Sequence, residues 1–277
     1  MDIKNKVKRE VIINDVNLGY FIDDYELLNN NTDIEQTISV DKIYIISLEY
    51  RVDRREKIFE NLKKMNINKI TLFIPKKAVE FTNEEQIKLN GIIYDNYVFE
   101  IKNYTVFGCF LSHILCFKDA NNLKLNNIMI LEDDCEFLHI PQNVISNINN
   151  FITNETYDAF FLHNMSYKFI TPYLSTKYIK KGIIDNFDAE RFKIINKYNG
   201  IKIIIGTSLA HCIIYSKKYI SFLCELKIPI KNNIVRNFDY VLQILGKKYN
   251  YYSTDKTYTT QFQSFSDITF TNNKKGI

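Results

Sequence analysis

Apolar and polar positions along the chain fall into blocks that switch between a strand period and a helix period. Lys42 to Leu48, reading Lys-Ile-Tyr-Ile-Ile-Ser-Leu, is an almost wholly apolar strand. Glu49-Tyr50-Arg51-Val52 makes a turn after it, and Asp53 is a good N-cap for a helix to about Met65. Ile58, Phe59, Leu62 and Met65 share one face of that helix, leaving Glu56, Lys57, Glu60 and Lys63 to water. Ile70 to Ile74 is the next strand, and Pro75 stops it. Strand, helix and strand make a βαβ unit, which crosses over right-handed into a parallel sheet. Asn83 to Asn90 reads as a short helix closed by Gly91, and Thr105 caps a helix from about Phe107 to Ala120. Asn126-Asn127 then marks a loop before Ile128-Met129-Ile130-Leu131, a run suited to a strand buried on both faces.

Further along, Asn143 to Ile152 predicts a helix and Tyr157 to Leu162 a buried strand. From Asn164 to Asn199 the pattern breaks into aromatic and lysine-rich pieces, read as loops with short strands. Leu209 to Tyr215 is strand-like, Ser216 caps a helix to about Leu226, Pro229 ends that region, and Asn237 to Leu245 forms a further helix. The tail from Lys248 has extended character. At the other end, Val11-Ile12-Ile13 and Tyr20-Phe21-Ile22, around Asn14 to Gly19, suggest two short strands about a turn. Asn29 to Thr32 reads as a linker. The expected division is an N-terminal extension over residues 1–40 and a main domain over 41–277.

Composition narrows the classes. Over 277 residues, 46% apolar and 25% charged content are those of an ordinary globule able to bury a sizeable core. No run approaches the roughly 18 apolar residues of a membrane span, and the polar start Met-Asp-Ile-Lys-Asn-Lys lacks a secretory core, so the expected location is cytoplasmic. The net charge of +4 is spread without a basic stripe, which argues against a nucleic-acid partner. Five cysteines in no CxxC pair argue for reduced, packed thiols. With 32 Asn, and 30 Lys against 6 Arg, single Asn or Lys positions carry little weight.

The chemistry gathers at Glu132-Asp133-Asp134, directly after the Ile128 strand. Open α/β sheets bind ligands at the carboxyl ends of their strands. Three carboxylates crowded there repel one another, so a divalent cation is their natural partner. The plain alternative is an acidic turn that solubilises a strand end. Arg51, Asp53, Arg54 and Arg55 follow the first strand at a helix start, where phosphate is attracted; equally, Arg54 and Arg55 could lie on a solvated turn paired with Asp53 or Glu56. Gly108, Ser112 and His113 lie on the helix before the acidic strand, with Gly108 allowing a close approach. Cys109 has no visible acid–histidine partnership that would make it a nucleophile.

Leu48 through Arg54, Gly108-Cys109 with Ser112-His113, and Leu131-Glu132-Asp133-Asp134 together resemble glycosyltransferase family 25. The likeness continues through Asp158 to Leu162, Gly206-Thr207, Ile213 to Ser216, Asp239, Gln261 and Ser266-Asp267-Ile268. Ser47 stands where the family usually has Asn, Phe117 where Trp follows the Ser-His pair, and His211 where a small residue or Tyr is common. The resemblance implies an α/β, GT-A-type, Rossmann-like fold with a mixed, mostly parallel sheet flanked by helices. It implies inverting transfer of a hexose, galactose or glucose, from a UDP-sugar to a glycan or a hydroxylysine of a collagen-like protein, with Mn²⁺ or Mg²⁺. Donor binding would fall to Ser47, Leu48, Arg51, Arg54, Gly108, Ser112, His113, Glu132, Asp133 and Gln261. Asp134 and Glu132 would hold the metal, with His211 as a further ligand or base. Asp239 would be the catalytic base, the alternative being a first-turn acid that steadies its helix.

Two rival classes remain on the sequence: a non-catalytic nucleotide-sugar-binding module of the same fold, and a Mg²⁺-dependent phosphohydrolase built on the same acids. The hairpin-like lead makes a homodimer worth testing.

Overall fold

The computed structural model describes residues 3, 6–27, 37–93, 104–163, 197–204, 210–226, 238–246 and 248–262. The readings made for Gly206-Thr207, Pro229, Ser266 to Ile268 and most of 164–199 lie outside them. Nine described strands form one sheet: β1 (Arg9–Ile13), β2 (Val16–Glu26), β3 (Lys42–Ile46), β4 (Lys69–Pro75), β5 (Asn127–Glu132), β7 (Ala159–Phe161), β8 (Ile201–Ile203), β9 (Cys212–Ser216) and β10 (Tyr251–Thr254). Their order is β1-β2-β4-β3-β5-β9-β7-β10-β8, with β5 in the middle. Two further strands, β6 (Cys135–Phe137) and β11 (Thr259–Gln261), pair only with each other.

The sheet is mixed, as expected, but antiparallel pairs outnumber parallel ones among the described strands. β3 runs parallel to both β4 and β5, and β10 parallel to β7; the other pairs are antiparallel. The βαβ unit read from the sequence accounts for the first of these. β9 runs antiparallel to both its neighbours, β5 and β7, a reversal that no local pattern reports.

Helices cover both faces. Along β5, Ile128 and Ile130 belong to one core and Met129 and Leu131 to the other; Tyr44 opposes Ile43 and Ile45 in the same way on β3. This is the two-faced burial that a continuous apolar run implies. The first core takes α3 (Tyr104–Asn122), α5 (Lys217–Leu223) and α6 (Phe238–Leu245). The second takes α1 (Val52–Lys64) and α4 (Gln142–Asn154) through Ile58, Phe59, Leu62, Ile145, Ile148 and Phe151. Each such side chain contributes roughly 1.5–3 kcal/mol by leaving water. The remaining described helix is α2 (Asn83–Ile93); Gly91, expected to close it, lies inside. Among the described residues no helix is long and apolar enough to cross a membrane.

The N-terminal lead is a hairpin, as read, but longer, and it continues the main sheet. Its turn is the pair Asn14-Asp15, both at positive φ (49° and 61°), with Ile13 facing Val16. Such a two-residue turn matches the strand twist, and Asn and Asp tolerate that conformation best after glycine. Gly19, expected in the turn, sits within β2 at φ 126°, where a Cβ would fall 2.2 Å from the Ile74 carbonyl oxygen. The hairpin is also tied to the core by charge. Arg9 donates to buried Asp119 on α3 at 2.7 Å, and Tyr44 donates to the other carboxylate oxygen at 2.7 Å. Tyr44→Phe should cost about 1–3 kcal/mol, since it strips one of two donors from a buried acid. A urea midpoint unchanged from wild type would show that the hydroxyl contributes nothing.

Candidate active site

The acidic triplet lies where β5 leaves the sheet, between the ends of β3 and β9. Alternation along β5 decides which way each acid turns. Residues 128 and 130 face α3, and 129 and 131 face α1. Glu132 therefore goes to α3 and Asp133 to α1. On the α3 side, His113 Nε2 lies 3.2 Å from Glu132 Oε1, and Cys109 Sγ lies 3.6 Å from the same oxygen. Burial disfavours charge on Glu132, yet the hydrogen bond and charge of His113 hold its pKa below the usual carboxylate value. Burial also pushes the Cys109 thiol well up, with Glu132 adding to the effect, although the acid and histidine not visible in the sequence do stand beside it.

Asp133 enters a socket on the other side. Ser47 Oγ donates to one oxygen at 2.7 Å and Arg54 Nη1 to the other at 3.0 Å. Burial raises its pKa, opposed by Arg54 and Ser47. Arg55 donates to the carbonyls of Leu48 and Glu49, and to Ser47 Oγ at 3.2 Å. Arg54 and Arg55 are thus buried, at 7% and 2% exposure, and do not lie on a solvated turn. Arg51 forks onto Asp53 at 3.0 and 3.1 Å. Ser47, Leu48 and the three arginines build the corner between β3 and α1.

Asp134 sits between the two sides. Arg54 Nη1 is 3.6 Å from one of its oxygens, and Gln261 donates to the other at 3.4 Å. Gln261 arrives because β11 pairs with β6, a ribbon the sequence pattern did not reveal. Burial, then the charges of Glu132 and Asp133, push the Asp134 pKa up to about 7. Asp239 joins from the first turn of α6, where its carboxylate accepts the Ala210 backbone N–H. Burial, then Glu132, then Asp134 push its pKa up to about 8. The turn after β5 and the first turn of α6, distant in sequence, thus bring Glu132, Asp134 and Asp239 within reach of one another's charge.

Other expected site residues take different positions. His211 is wholly buried and stacks on His163 at 4.6 Å between ring centroids. Burial pulls its pKa down to about 4; neither ring nitrogen completes an ordinary hydrogen bond, although the Thr259 carbonyl favours protonation. The charge of Glu132 reaches His211 and works against that downward shift. Among the described residues, the side chains whose donor atoms all lie within 4.8 Å of one another are Cys109, His113 and Glu132. Ser112 spends its hydroxyl on the Gly108 carbonyl at 2.7 Å, one turn back. At Gly108 an added Cβ would lie 3.4 Å from the Ala78 Cβ, at the edge of ordinary contact. His163 was not singled out from sequence; its one signal is a histidine directly after the apolar run Ala159 to Leu162.

The profile described as Glycosyltransferase family 25 (LPS biosynthesis protein) matches residues 40–275. The chain belongs to glycosyltransferase family 25. Among family 25 relatives, procollagen galactosyltransferase 2 from human and mouse is 31% identical over 105 residues, 36% of this chain and 16% of theirs. A glycosyltransferase 25 family member from Aedes aegypti is 24% identical over 131 residues, 43% of this chain and 21% of that protein. The chain thus matches about a fifth or less of these relatives' length. The solved structure of A197 from STIV aligns over 85% of this chain and 96% of that one, at TM-score 0.39 and 11% identity. Family 25 membership and the galactosyltransferase relatives support a glycosyltransferase.

Proposed function

We propose that this family 25 chain is a metal-dependent inverting glycosyltransferase. It would move a hexose from a UDP-sugar to a hydroxyl of a glycan or of hydroxylysine in a collagen-like protein. Galactose is the favoured hexose, since the relatives' names carry it. The observation that supports the reading most is the meeting of Glu132, Asp134 and Asp239, whose charges raise the pKa of Asp134 and Asp239. Such a group favours a compact divalent ion with oxygen ligands, and its donor chemistry fits Mn²⁺ or Mg²⁺. Asp134 and Glu132 are the residues that would hold it. When bound, the ion supplies positive charge where the departing diphosphate becomes more negative.

The chain's own groups do the rest. Arg54 and Ser47 lock Asp133, and through it the turn that presents Asp134. Gln261 steadies the Asp134 oxygen that Arg54 does not approach. Asp239 takes the acceptor hydroxyl's proton as that oxygen attacks the anomeric carbon from the face opposite UDP. A carboxylate whose pKa is raised toward neutrality is a stronger base than an ordinary one, and still partly ionised at working pH.

The test is melting temperature against UDP, with and without Mn²⁺. At UDP a hundredfold above its Kd, linkage adds about 2.7 kcal/mol, a shift of several degrees. The shift is expected only with both ligands present. Its absence with both overturns the reading, and a shift with metal alone favours a phosphohydrolase. Release of UDP from a UDP-hexose then separates an enzyme from a binding module.

A further inference from the structure

The geometry points to a second metal site, for a thiophilic ion such as Zn²⁺, formed by Cys109, His113 and Glu132 on the α3 side of the acidic turn. Cys109 and His113 are four residues apart on one helix, so their side chains share a face. Glu132 closes the triangle from the last position of the central strand. All three stand on regular elements, and His113 is further fixed by stacking on Phe238 at 4.4 Å.

Two of the three separations are those a tetrahedral ion requires. With ligand bonds of about 2.0–2.3 Å, zinc sets nitrogen–oxygen and sulfur–oxygen ligand pairs about 3.3 and 3.5 Å apart. The corresponding separations are 3.2 Å for His113 Nε2 to Glu132 Oε1 and 3.6 Å for Cys109 Sγ to the same oxygen. The third pair is within 4.8 Å. One sulfur, one nitrogen and one oxygen select zinc or cobalt over magnesium and manganese, which prefer oxygen alone. Three protein ligands leave the fourth position for water.

Coordination needs the Cys109 thiolate and an unprotonated His113 Nε2, which leaves the ring N–H on Nδ1. Nδ1 is buried with no hydrogen-bond partner among the described residues, so no outer hydrogen bond supports the coordinating tautomer. The expected affinity is therefore that of an exchangeable, regulatory ion and not of a closed structural site. Because Glu132 belongs to both sets, zinc here withdraws it from the acids of the donor site. Inhibition of transfer by zinc rests on the function proposed above; zinc binding does not.

The experiment uses the whole metal-free chain titrated with Co²⁺ as optical reporter and then displaced by Zn²⁺. Wild type is expected to take one equivalent with a sulfur-to-cobalt charge-transfer band. Cys109→Ser should lose the band and His113→Gln should weaken zinc, read with a zinc-binding dye, by at least about tenfold. Cys116→Ala, on the same helix, keeps both. No charge-transfer band in wild type, or a band that survives Cys109→Ser, overturns the site. No donor is present, so a failed UDP response leaves this result standing.

Discussion

Asp134→Asn should lower transfer by about 10²–10³-fold, yet leave the metal-free protein at least as stable as wild type. The loss follows from the proposed role: the amide is a poor partner for a divalent cation, so the departing diphosphate keeps its charge. The gain in stability follows from what surrounds the residue. In the metal-free chain Asp134 is buried beside Glu132 and Asp133, and this crowding is what lifts its pKa to about 7. Removing one carboxylate relieves the repulsion that the site maintains for the sake of a ligand. Steady-state UDP release and a melting curve in chelator measure the two halves. A stable, fully active variant would remove Asp134 from the chemistry; an unfolded one would make it structural.

Asp239→Asn should reduce kcat by about 10²–10⁴-fold while UDP affinity is kept. The amide can still accept the Ala210 N–H, so the start of α6 is preserved. Lost UDP affinity would instead move Asp239 to donor binding. The same variant carries a pH signature. The folded pKa values of Asp134 and Asp239, about 7 and about 8, lie above the ordinary value of 3.8. Between those limits the folded chain holds protons that the unfolded chain has released. Stability of the metal-free protein therefore falls as pH climbs from about 4 toward 8, the sign opposite to that of a salt-bridged acid. Melting temperatures in chelator at pH 5 and pH 8 should differ less for Asp239→Asn than for wild type.

Much of this site was legible in the sequence because its parts are local. The apolar run before Glu132 carried its own evidence for a strand buried on both faces, and period with the Pro75 stop gave β3, α1 and β4, although α1 begins at Val52 behind Arg51 and Asp53 lies in its first turn, not at its N-cap. What the sequence hid depends on partners far along the chain. Arg54 and Arg55 look like solvated first-turn residues until Asp133 and the Leu48 and Glu49 carbonyls surround them. The reversal of β9 and the β6–β11 ribbon rest on pairings between residues far apart in the chain, which hydrophobic period does not report. Ser112 and Gly108 have the composition of a ligand crevice, and the sequence does not show that the Ser112 hydroxyl donates to the Gly108 carbonyl or that Ala78 packs beside Gly108. The place of Cys109 beside His113 and Glu132 is set only when α3 lies along β5.

The hairpin that continues the sheet bears on how far this protein can be shortened. The family match begins at residue 40, after β1 and β2 have already been laid down. A fragment cut to that boundary would bare the long flank of β4, whose residues from Ile70 to Ile74 are all buried in the full chain. It would also take Arg9 from Asp119. Exposed apolar strand edges recruit one another, so the catalytic region trimmed to its family limits would clump before it could be assayed.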